Sequence, residues 1–280
     1  MKQKRLVAIN DISCFGRCSL TVASPIISVA GIETTLLPTA LLSTHLDCFP
    51  GYVSYDLSKE MIAIKDHWKS FDLEFDSIYT GYLGSEEQVA ITCAFIDEFK
   101  TDNCIVVIDP VLGDSGTFYE LFDHNYAQVM KGLVTKADII TPNLTEACLL
   151  LDIPYSETFS REEIEKIVKD LSKFGPNQIV LTSVSFEKDK IGVLAYDKIN
   201  DEIYYTSNEK INVPYAGTGD IFTSTLCASL LSNHNLKDSI EIASKYVFDT
   251  IVVTNKMNRD YRYGLNFEYH LSSLGTLLNK

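Results

Sequence analysis

Short apolar runs rich in Val and Ile alternate with longer amphipathic stretches along most of the chain. The runs that predict buried strands are residues 5–10, 33–37, 76–79, 104–108, 137–140 and 178–181. The stretches with helical periodicity are residues 19–30, 56–69, 86–100, 125–135, 144–151 and 161–174. Repeated β-α-β units of this kind predict an α/β fold, with a central, mostly parallel sheet and helices on both faces.

The pattern changes in the last third of the chain. Residues 191–196 and 202–206 predict an antiparallel hairpin, and three further helices are expected at about 220–231, 236–253 and 265–278. The sequence contains no linker, low-complexity run or internal repeat, and its 46% hydrophobic content is ample for a sizeable core. We therefore expect a single domain that spans residues 1–280.

Charge and hydropathy exclude several classes of partner. The formal net charge of -14 repels nucleic acid and anionic membrane surfaces. Apolar runs are too short for a membrane span, and the basic amino end is not followed by the apolar core of a signal peptide. The seven scattered cysteines predict reduced thiols, although Cys14 and Cys18 could also form half of a metal site. These features predict a cytoplasmic protein with neither nucleic-acid nor membrane partners.

Polar residues follow several of the predicted strands, where ligands bind in open parallel sheets. Asp109 comes directly after the run 104–108, and the turn that follows brings Asp114 near. Two carboxylates at such a place suit Mg²⁺, but an Asp-Pro pair is also an ordinary strand end. Asn143 and Glu146 have the spacing of a helix capping box, and this interpretation competes with a role near Mg²⁺ and phosphate.

The segment Gly217-Thr218-Gly219-Asp220 is a glycine-rich turn that opens a predicted helix. Glycine lets backbone N–H groups approach an anion, and the helix dipole adds positive potential at the same end. Such an anion hole would stabilise a transferring phosphoryl group, while Asp220 could accept a proton from a substrate hydroxyl. The alternative is an Asp that merely stabilises the start of a helix.

Taken together, these segments resemble the vitamin B6 kinases of the ribokinase superfamily, over residues 5–255. The ordered set is Asn10-Asp11, Gly81-Tyr82-Leu83-Gly84-Ser85, Asp109-Pro110-Val111-Leu112-Gly113-Asp114, Pro142-Asn143-Leu144-Thr145-Glu146, Thr182-Ser183 and Gly217-Thr218-Gly219-Asp220. The Tyr82 loop and the segment Leu42-Ser43-Thr44-His45 are more similar to pyridoxal and pyridoxamine kinases than to sugar kinases.

The resemblance implies a ribokinase-like fold, ATP as phosphate donor and a B6 vitamer as small-molecule acceptor. It implies roles for the following residues: Asp220 as base for the 5′-hydroxyl; the amides of Ala216 to Gly219 as anion hole; Asp109 and Glu146 for Mg²⁺; Asn143, Thr182, Ser183 and Asp114 near ATP; and Asp11, His45, Tyr82 and Ala216 around the vitamer. Some members use K⁺ near the anion hole, and the family is usually dimeric.

Two positions depart from the pattern. Familiar pyridoxal kinases carry Ser where this chain has Asp11, and Thr where it has Leu46. An anionic Asp11 would favour a cationic substituent, so we expect a preference for pyridoxamine. For His45 and Tyr82 a plain packing role competes with substrate contact, and Arg17 is either a phosphate contact or a surface residue.

Three other functions compete with the B6 kinase. A hydroxymethylpyrimidine kinase resembles this family in fold and phosphate machinery. A nicotinamide-dependent oxidoreductase is excluded because no Gly-x-Gly-x-x-Gly follows the first strand. A catalytically silent vitamer-binding protein would need neither a base nor a metal site, and retention of Asp220, Asp109 and Glu146 argues against it.

Overall fold

The computed structural model describes residues 3–46 and 48–279. Its strands are β1 (Arg5–Ser13), β2 (Glu33–Leu42), β3 (Ser54–Asp56), β4 (Ser77–Thr80), β5 (Ile105–Ile108), β6 (Gly113–Asp114), β7 (Thr117–Phe118), β8 (Ile139–Ile140), β9 (Gln178–Val184), β10 (Lys190–Asp197) and β11 (Glu202–Glu209). Nine of them form one sheet in the order β11-β10-β9-β8-β5-β4-β1-β2-β3, and β6 pairs with β7 in a separate ribbon.

The six strands from β9 to β2 in the sheet pair in parallel. The two strands beyond β9 and the strand at the opposite edge, β3, pair antiparallel. The predicted hairpin and the predicted mostly parallel sheet are both confirmed. Strand β1 lies between β2 and β4, so the chain order reverses there and a crevice opens at the carboxyl ends of the strands.

Helices cover both faces of the sheet. They are α1 (Leu20–Ser28), α2 (Ser58–Lys69), α3 (Glu86–Phe99), α4 (His124–Val134), α5 (Leu144–Leu151), α6 (Arg161–Leu171), α7 (Thr218–Leu231), α8 (Leu236–Lys256) and α9 (Leu271–Leu278), with short 3₁₀ turns at Ser172–Phe174, Tyr261–Tyr263 and Phe267–His270. No helix in the described ranges is long and apolar enough to span a membrane.

Two hydrophobic cores follow from the alternation of side chains along each strand. In β1, Val7 and Ile9 pack into the core beneath α2 to α6. Their neighbours Leu6 and Ala8 pack into the core beneath α1, α7, α8 and α9. This double burial explains the uninterrupted apolar runs in the parallel strands, such as Leu6 to Ile9 in β1.

Two predicted helices begin later than the sequence pattern indicated. Asp56 was expected in a helix but ends β3, because its carboxylate accepts hydrogen bonds from the Ser58 N–H at 2.9 Å and the Gln88 side chain at 2.7 Å. The helix expected from residue 265 starts at Leu271. The preceding residues are tied to α8, since Tyr246 donates its O–H to the Phe267 carbonyl at 2.8 Å.

A β-bulge interrupts the pairing of β9 with β10. Val184 pairs with Gly192 and Leu181 with Leu194, so two residues of β9 face one residue of β10. The two residues of β9 in the bulge are Thr182 and Ser183, and Ser183 has a positive φ of 61°. Leu181 and Val184 consequently point into the same core although three positions separate them.

Candidate active site

Several strand-end residues converge beneath the start of α7. The Asp109 N–H donates to the Thr80 carbonyl at 2.9 Å, which places Asp109 at the carboxyl end of the sheet. A methyl group on Gly219 would lie 3.8 Å from Asp109 Oδ2. The first turn of α7, which carries Asp220, therefore sits over the end of β5.

Asp220 is held by two hydrogen bonds from elements distant in sequence. Its Oδ1 accepts from the Asn10 side-chain amide at 3.1 Å, and its Oδ2 accepts from the Ser19 N–H at 2.8 Å. Burial raises the pKa of Asp220 to about 6, although the Ser19 hydrogen bond opposes the shift. A carboxylate with such a pKa is deprotonated at neutral pH and is a far better proton acceptor than an exposed Asp.

The turn before Asp220 leaves a helix end uncapped. Gly217 is the N-cap residue of α7, and no side chain caps this helix. Its φ of 81° is in the left-handed region, which favours glycine. The N–H groups of Thr218, Gly219 and Asp220 belong to the first helical turn, where intrahelical acceptors are lacking, so they can bind an anion. Ala216, half-buried, precedes this turn.

Three acidic side chains crowd the same region. Asp109 is 8% exposed and Glu146 is 4% exposed. Burial raises the pKa of Asp109 well above its usual range, and the negative charges of Glu146 and Asp220 raise it further. Burial also raises the pKa of Glu146 to about 8. Among the described residues no Lys or Arg forms an ion pair with any of the three.

The capping-box interpretation of Asn143 and Glu146 is confirmed. Asn143 Oδ1 accepts from the Glu146 N–H at 2.9 Å, and Glu146 Oε2 accepts from the Asn143 N–H at 2.8 Å. The remaining atoms hold the loop after Asp109: the Asn143 amide donates to the Gly113 carbonyl, and Glu146 Oε1 accepts from the Leu112 N–H. These two residues thus build the loop beside the acidic cluster, whatever ligand the cluster binds.

Of the other residues predicted near ATP, Thr182 and Asp114 lie close to this loop. Thr182 forms an isolated bridge with Asn143, and its N–H donates to the Pro142 carbonyl at 2.9 Å. Ser183 is exposed in the bulge. Asp114 is exposed on β6. Burial is the main cause of the raised pKa of Glu146, and the negative charge of Asp114 raises it further.

Two ring side chains were predicted to contact the acceptor substrate. Tyr82 is half-buried, with its ring centroid 5.9 Å from that of Phe122. Burial raises the pKa of Tyr82 to about 12, with a further contribution from Asp11, so its phenol is neutral. His45 is 5% exposed, and its Nε2 lies 2.7 Å from the Arg262 carbonyl. Because a carbonyl only accepts, Nε2 donates in this hydrogen bond, and the buried Nδ1 has no partner among the described residues.

Asp11 makes contacts that the sequence pattern did not indicate. It is 3% exposed, and its two oxygens accept hydrogen bonds from the hydroxyls of Ser19 at 2.5 Å and Ser13 at 3.0 Å. Burial raises the pKa of Asp11, and these hydrogen bonds oppose the shift. Since the Ser19 N–H holds Asp220, Asp11 supports the candidate base through Ser19.

The sequence pattern marked the Asn10-Asp11 pair but gave Asn10 no role, and it missed Ser19. The only available signal was the Asn10-Asp11 pair after an apolar run, and Ser19 gave none, although its φ of 54° marks an unusual backbone. Arg17 forms an ion pair with Glu268 at 2.7 Å, as the surface interpretation expected. In the described ranges, no group of three or more His, Cys, Asp or Glu side chains could hold a metal ion.

Comparison with known proteins gives a consistent assignment. The phosphomethylpyrimidine kinase family model matches residues 52–264. A Bacteroides thetaiotaomicron protein described as a phosphomethylpyrimidine kinase, crystallised with pyridoxal, is 40% identical, with a TM-score of 0.94 over 98% of this chain and 96% of that chain. Pyridoxal kinase from Lactobacillus plantarum is 30% identical, with a TM-score of 0.91 over 99% and 98% of the two chains.

A curated relative, the pyridoxine/pyridoxal/pyridoxamine kinase of Bordetella avium, is 23% identical over 266 residues, which cover 89% of this chain and 85% of the relative. The resemblance to pyridoxal kinases and the ribokinase-like fold are thereby confirmed. The chain belongs to the phosphomethylpyrimidine kinase family and is a kinase with pyridoxal kinases among its relatives.

Proposed function

We propose that this kinase transfers the γ-phosphoryl group of ATP to the 5′-hydroxymethyl group of a B6 vitamer. One observation carries the proposal: the Asp220 carboxylate, whose pKa burial raises to about 6, lies in the first turn of an uncapped helix. A proton acceptor and an anion site are thus adjacent, as phosphoryl transfer to an alcohol requires. The relatives that carry B6 vitamers in their names support the choice of acceptor.

In this mechanism, the acceptor hydroxyl gives its proton to Asp220 while its oxygen forms a bond to the γ-phosphorus. The bond between that phosphorus and the bridging oxygen breaks, and ADP leaves with the bonding electrons. The amides of Ala216 to Gly219 donate hydrogen bonds to the phosphoryl oxygens and stabilise the negative charge that develops on them. One donor of this type is typically worth about 3 kcal/mol of barrier.

Mg²⁺ fits the acidic cluster on chemical grounds. Asp109 and Glu146 are hard oxygen donors, and their mutual repulsion has no cationic side chain in the described ranges to relieve it. These residues would hold the ion directly or through water, and phosphate and water oxygens would complete its shell. Bound Mg²⁺ would neutralise phosphate charge. We further propose Asn143, Thr182, Ser183 and Asp114 as residues near ATP.

The acceptor pocket is proposed to include Tyr82, His45, Ala216 and Asp11. The neutral Tyr82 ring is suited to pack against a pyridine, and His45 Nδ1, which has no partner among the described residues, would form a hydrogen bond with the acceptor substrate. We keep the proposal that the buried Asp11 favours pyridoxamine. The test is the ratio of kcat/KM for pyridoxamine to that for pyridoxal in the wild type and in Asp11→Ser, and an unchanged ratio would sink this idea.

A hydroxymethylpyrimidine kinase is the second candidate, because the matching family carries the name phosphomethylpyrimidine kinase. The pyridoxal bound to the similar Bacteroides protein favours the B6 vitamers. A panel of pyridoxal, pyridoxamine, pyridoxine and hydroxymethylpyrimidine, each with Mg-ATP, separates the two. A kcat/KM highest for the pyrimidine would replace our proposal by the alternative.

The proposed base is tested by Asp220→Ala, with Asp238→Ala as matched control. Asp238 occupies the same third helical position in α8, after the N-cap Asn235, but its side chain is exposed at the start of a different helix. We expect Asp220→Ala to lose roughly 10²–10⁴-fold in kcat and Asp238→Ala to retain activity. Turnover of Asp220→Ala near the wild-type rate would refute the mechanism, and an inactive wild type would favour a silent binding protein.

Four further properties of the protein are part of the proposal. We propose one kinase domain over residues 1–280, a homodimer, a cytoplasmic location and use of K⁺ near the anion hole. The sheet supports the single domain, since its strands run from residue 5 to residue 209. The family resemblance supports the dimer and K⁺. Light scattering of the purified protein tests the dimer, and replacing K⁺ by Na⁺ in the assay tests the ion.

A further inference from the structure

We infer that Asn10 is the positioning residue that fixes the base Asp220 and ties it to the loop of Tyr82. The inference rests on the proposed kinase function and extends it to a residue outside the anion hole. Asn10 lies in β1 one position beyond its last pair with β4, Ile9 with Thr80, where the sheet opens into the crevice. Its side chain therefore faces the loop that follows β4 on one side and α7 on the other.

Three hydrogen bonds define the position of this side chain. Asn10 Nδ2 donates to Asp220 Oδ1 at 3.1 Å. Asn10 Oδ1 accepts from the Tyr82 N–H at 2.8 Å and from the Asp11 N–H at 2.9 Å. Because two backbone N–H groups can point only at an oxygen, the orientation of the amide is determined, and its nitrogen must face Asp220.

The side chain has no room for another conformation. Asn10 is 1% exposed. A methyl group on Gly81 would lie 2.2 Å from Asn10 Nδ2 and 2.6 Å from its Cγ, so residue 81 must lack a side chain for Asn10 to lie here. The amide is thus packed against the backbone of the loop whose next residue, Tyr82, is the proposed wall of the acceptor pocket.

The hydrogen bond from Asn10 to Asp220 completes the immobilisation of the base. The Ser19 N–H holds Asp220 Oδ2, so each carboxylate oxygen has one donor from the protein. A carboxylate oxygen has a second lone pair, and these remain for the acceptor hydroxyl. Asn10 therefore does two things: it orients the base through Nδ2 and positions Tyr82 through Oδ1.

The two links can be separated by substitution. Asn10→Asp keeps the size of the side chain and an oxygen for the amides of Asp11 and Tyr82, but replaces the donor by a carboxylate oxygen that faces Asp220. Two carboxylates at this separation share a proton. With that proton bound, Asp220 would no longer accept the proton of the substrate hydroxyl. Asn10→Ala removes both links without adding charge.

Asn235→Asp provides a matched control. Asn235 also donates its side-chain amide to an aspartate, Asp238, at 2.9 Å and accepts from a backbone N–H at 2.8 Å. It caps the exposed start of α8, near the residues that Lys4 contacts at the amino end of β1. The same chemical change is thus made at the opposite end of the sheet.

The experiment measures kcat, KM for pyridoxal, the equilibrium Kd for pyridoxal and the melting temperature of the wild type and the three variants. Asn10→Asp is expected to lose about 10- to 100-fold in kcat while KM and Kd change by less than about threefold. Asn10→Ala is expected to lose kcat and also to raise Kd, because the Tyr82 loop loses its acceptor. Asn235→Asp is expected to retain wild-type kinetics.

Folded Asn10→Asp and Asn10→Ala proteins with wild-type kcat would overturn the inference, as would a loss confined to KM, which would show that Asn10 only shapes the pocket. A wild type that phosphorylates neither B6 vitamers nor hydroxymethylpyrimidine would overturn the proposed function instead, and the inference with it.

Discussion

Gly217 and Arg17 meet so closely that a methyl group on Gly217 would lie 2.2 Å from the Arg17 carbonyl oxygen. The segment between β1 and α1 therefore packs directly against the turn that opens α7. A second glycine, Gly264, approaches the same residue from the carboxyl-terminal side, and a methyl group on it would lie 2.9 Å from Arg17 Cβ, N and O. The proposed anion hole is thus held in place by backbone from three distant parts of the chain.

Replacing Gly217 by Ala should disrupt this arrangement. The left-handed φ of 81° alone costs about 1–2 kcal/mol for an alanine, before the collision with Arg17 is counted. We expect a lower free energy of unfolding in urea and a lower kcat. Gly132→Ala is the control, since it lies in α4 with no atom near the added methyl group, and it should raise stability by about 0.5–1 kcal/mol. Equal behaviour of the two variants would contradict the packing argument.

The pH dependence of kcat/KM should report Asp220. Burial raises its pKa to about 6, and only the ionised form accepts a proton. Activity should therefore be full above this pH and fall as the pH drops through 6, approaching about tenfold per pH unit at lower pH. Steady-state rates in overlapping buffers test this, with a melting curve at each pH as control for unfolding. A kcat/KM that does not change between pH 7 and pH 5 would exclude Asp220 as the base.

Glu146→Gln and Glu163→Gln form a matched pair, because both glutamates complete a capping box, in α5 and α6 respectively. Only Glu146 lies beside Asp109. We expect Glu146→Gln to raise the Mg²⁺ concentration at half-maximal rate by about 10- to 100-fold, and Glu163→Gln to leave it unchanged. The measurement is a Mg²⁺ titration of the rate at saturating ATP. The same Mg²⁺ dependence in both variants would assign Glu146 to helix capping alone.

Tyr82 should act through its ring rather than its hydroxyl. Burial raises its pKa to about 12, so the phenol carries no charge at neutral pH. Tyr82→Phe is expected to retain KM for the vitamer, whereas Tyr82→Ala should raise it by roughly tenfold through lost contact with the pyridine. KM for ATP serves as the internal control in both variants. A large defect in Tyr82→Phe would instead point to a hydrogen bond from the hydroxyl.

The layers of the fold could be predicted because the central parallel strands are buried on both faces. Ile78 and Tyr79, for example, are adjacent in β4 and enter opposite cores, so both positions are apolar. The short strand β3 escaped prediction because its three residues are all exposed. The ribbon of β6 and β7 has two residues in each strand, too few to form any pattern.

The candidate site could be predicted only in part, for a physical reason. Asp109 follows an apolar run directly, so local pattern marks it. The bond from Asn10 to Asp220 spans 210 residues and depends on where α7 packs against β1. Likewise, the role of Asp11 depends on a hydrogen bond from the Ser19 hydroxyl, and Ser19 has a positive φ that no sequence pattern indicated. Such contacts form only when distant segments pack together, so no local sequence pattern indicates them.

The bulge in β9 places residues proposed for ATP binding between two residues that pack into the core. Leu181 and Val184 share one core although three positions separate them, so deletion of one residue between them would leave both on the same face of a regular strand. The surplus residue of the pair Thr182 and Ser183 therefore contributes nothing to the alternation of side chains. A change of chain length at this point should spare folding while reshaping the edge proposed to receive ATP, which makes it a place where relatives can diverge in nucleotide preference.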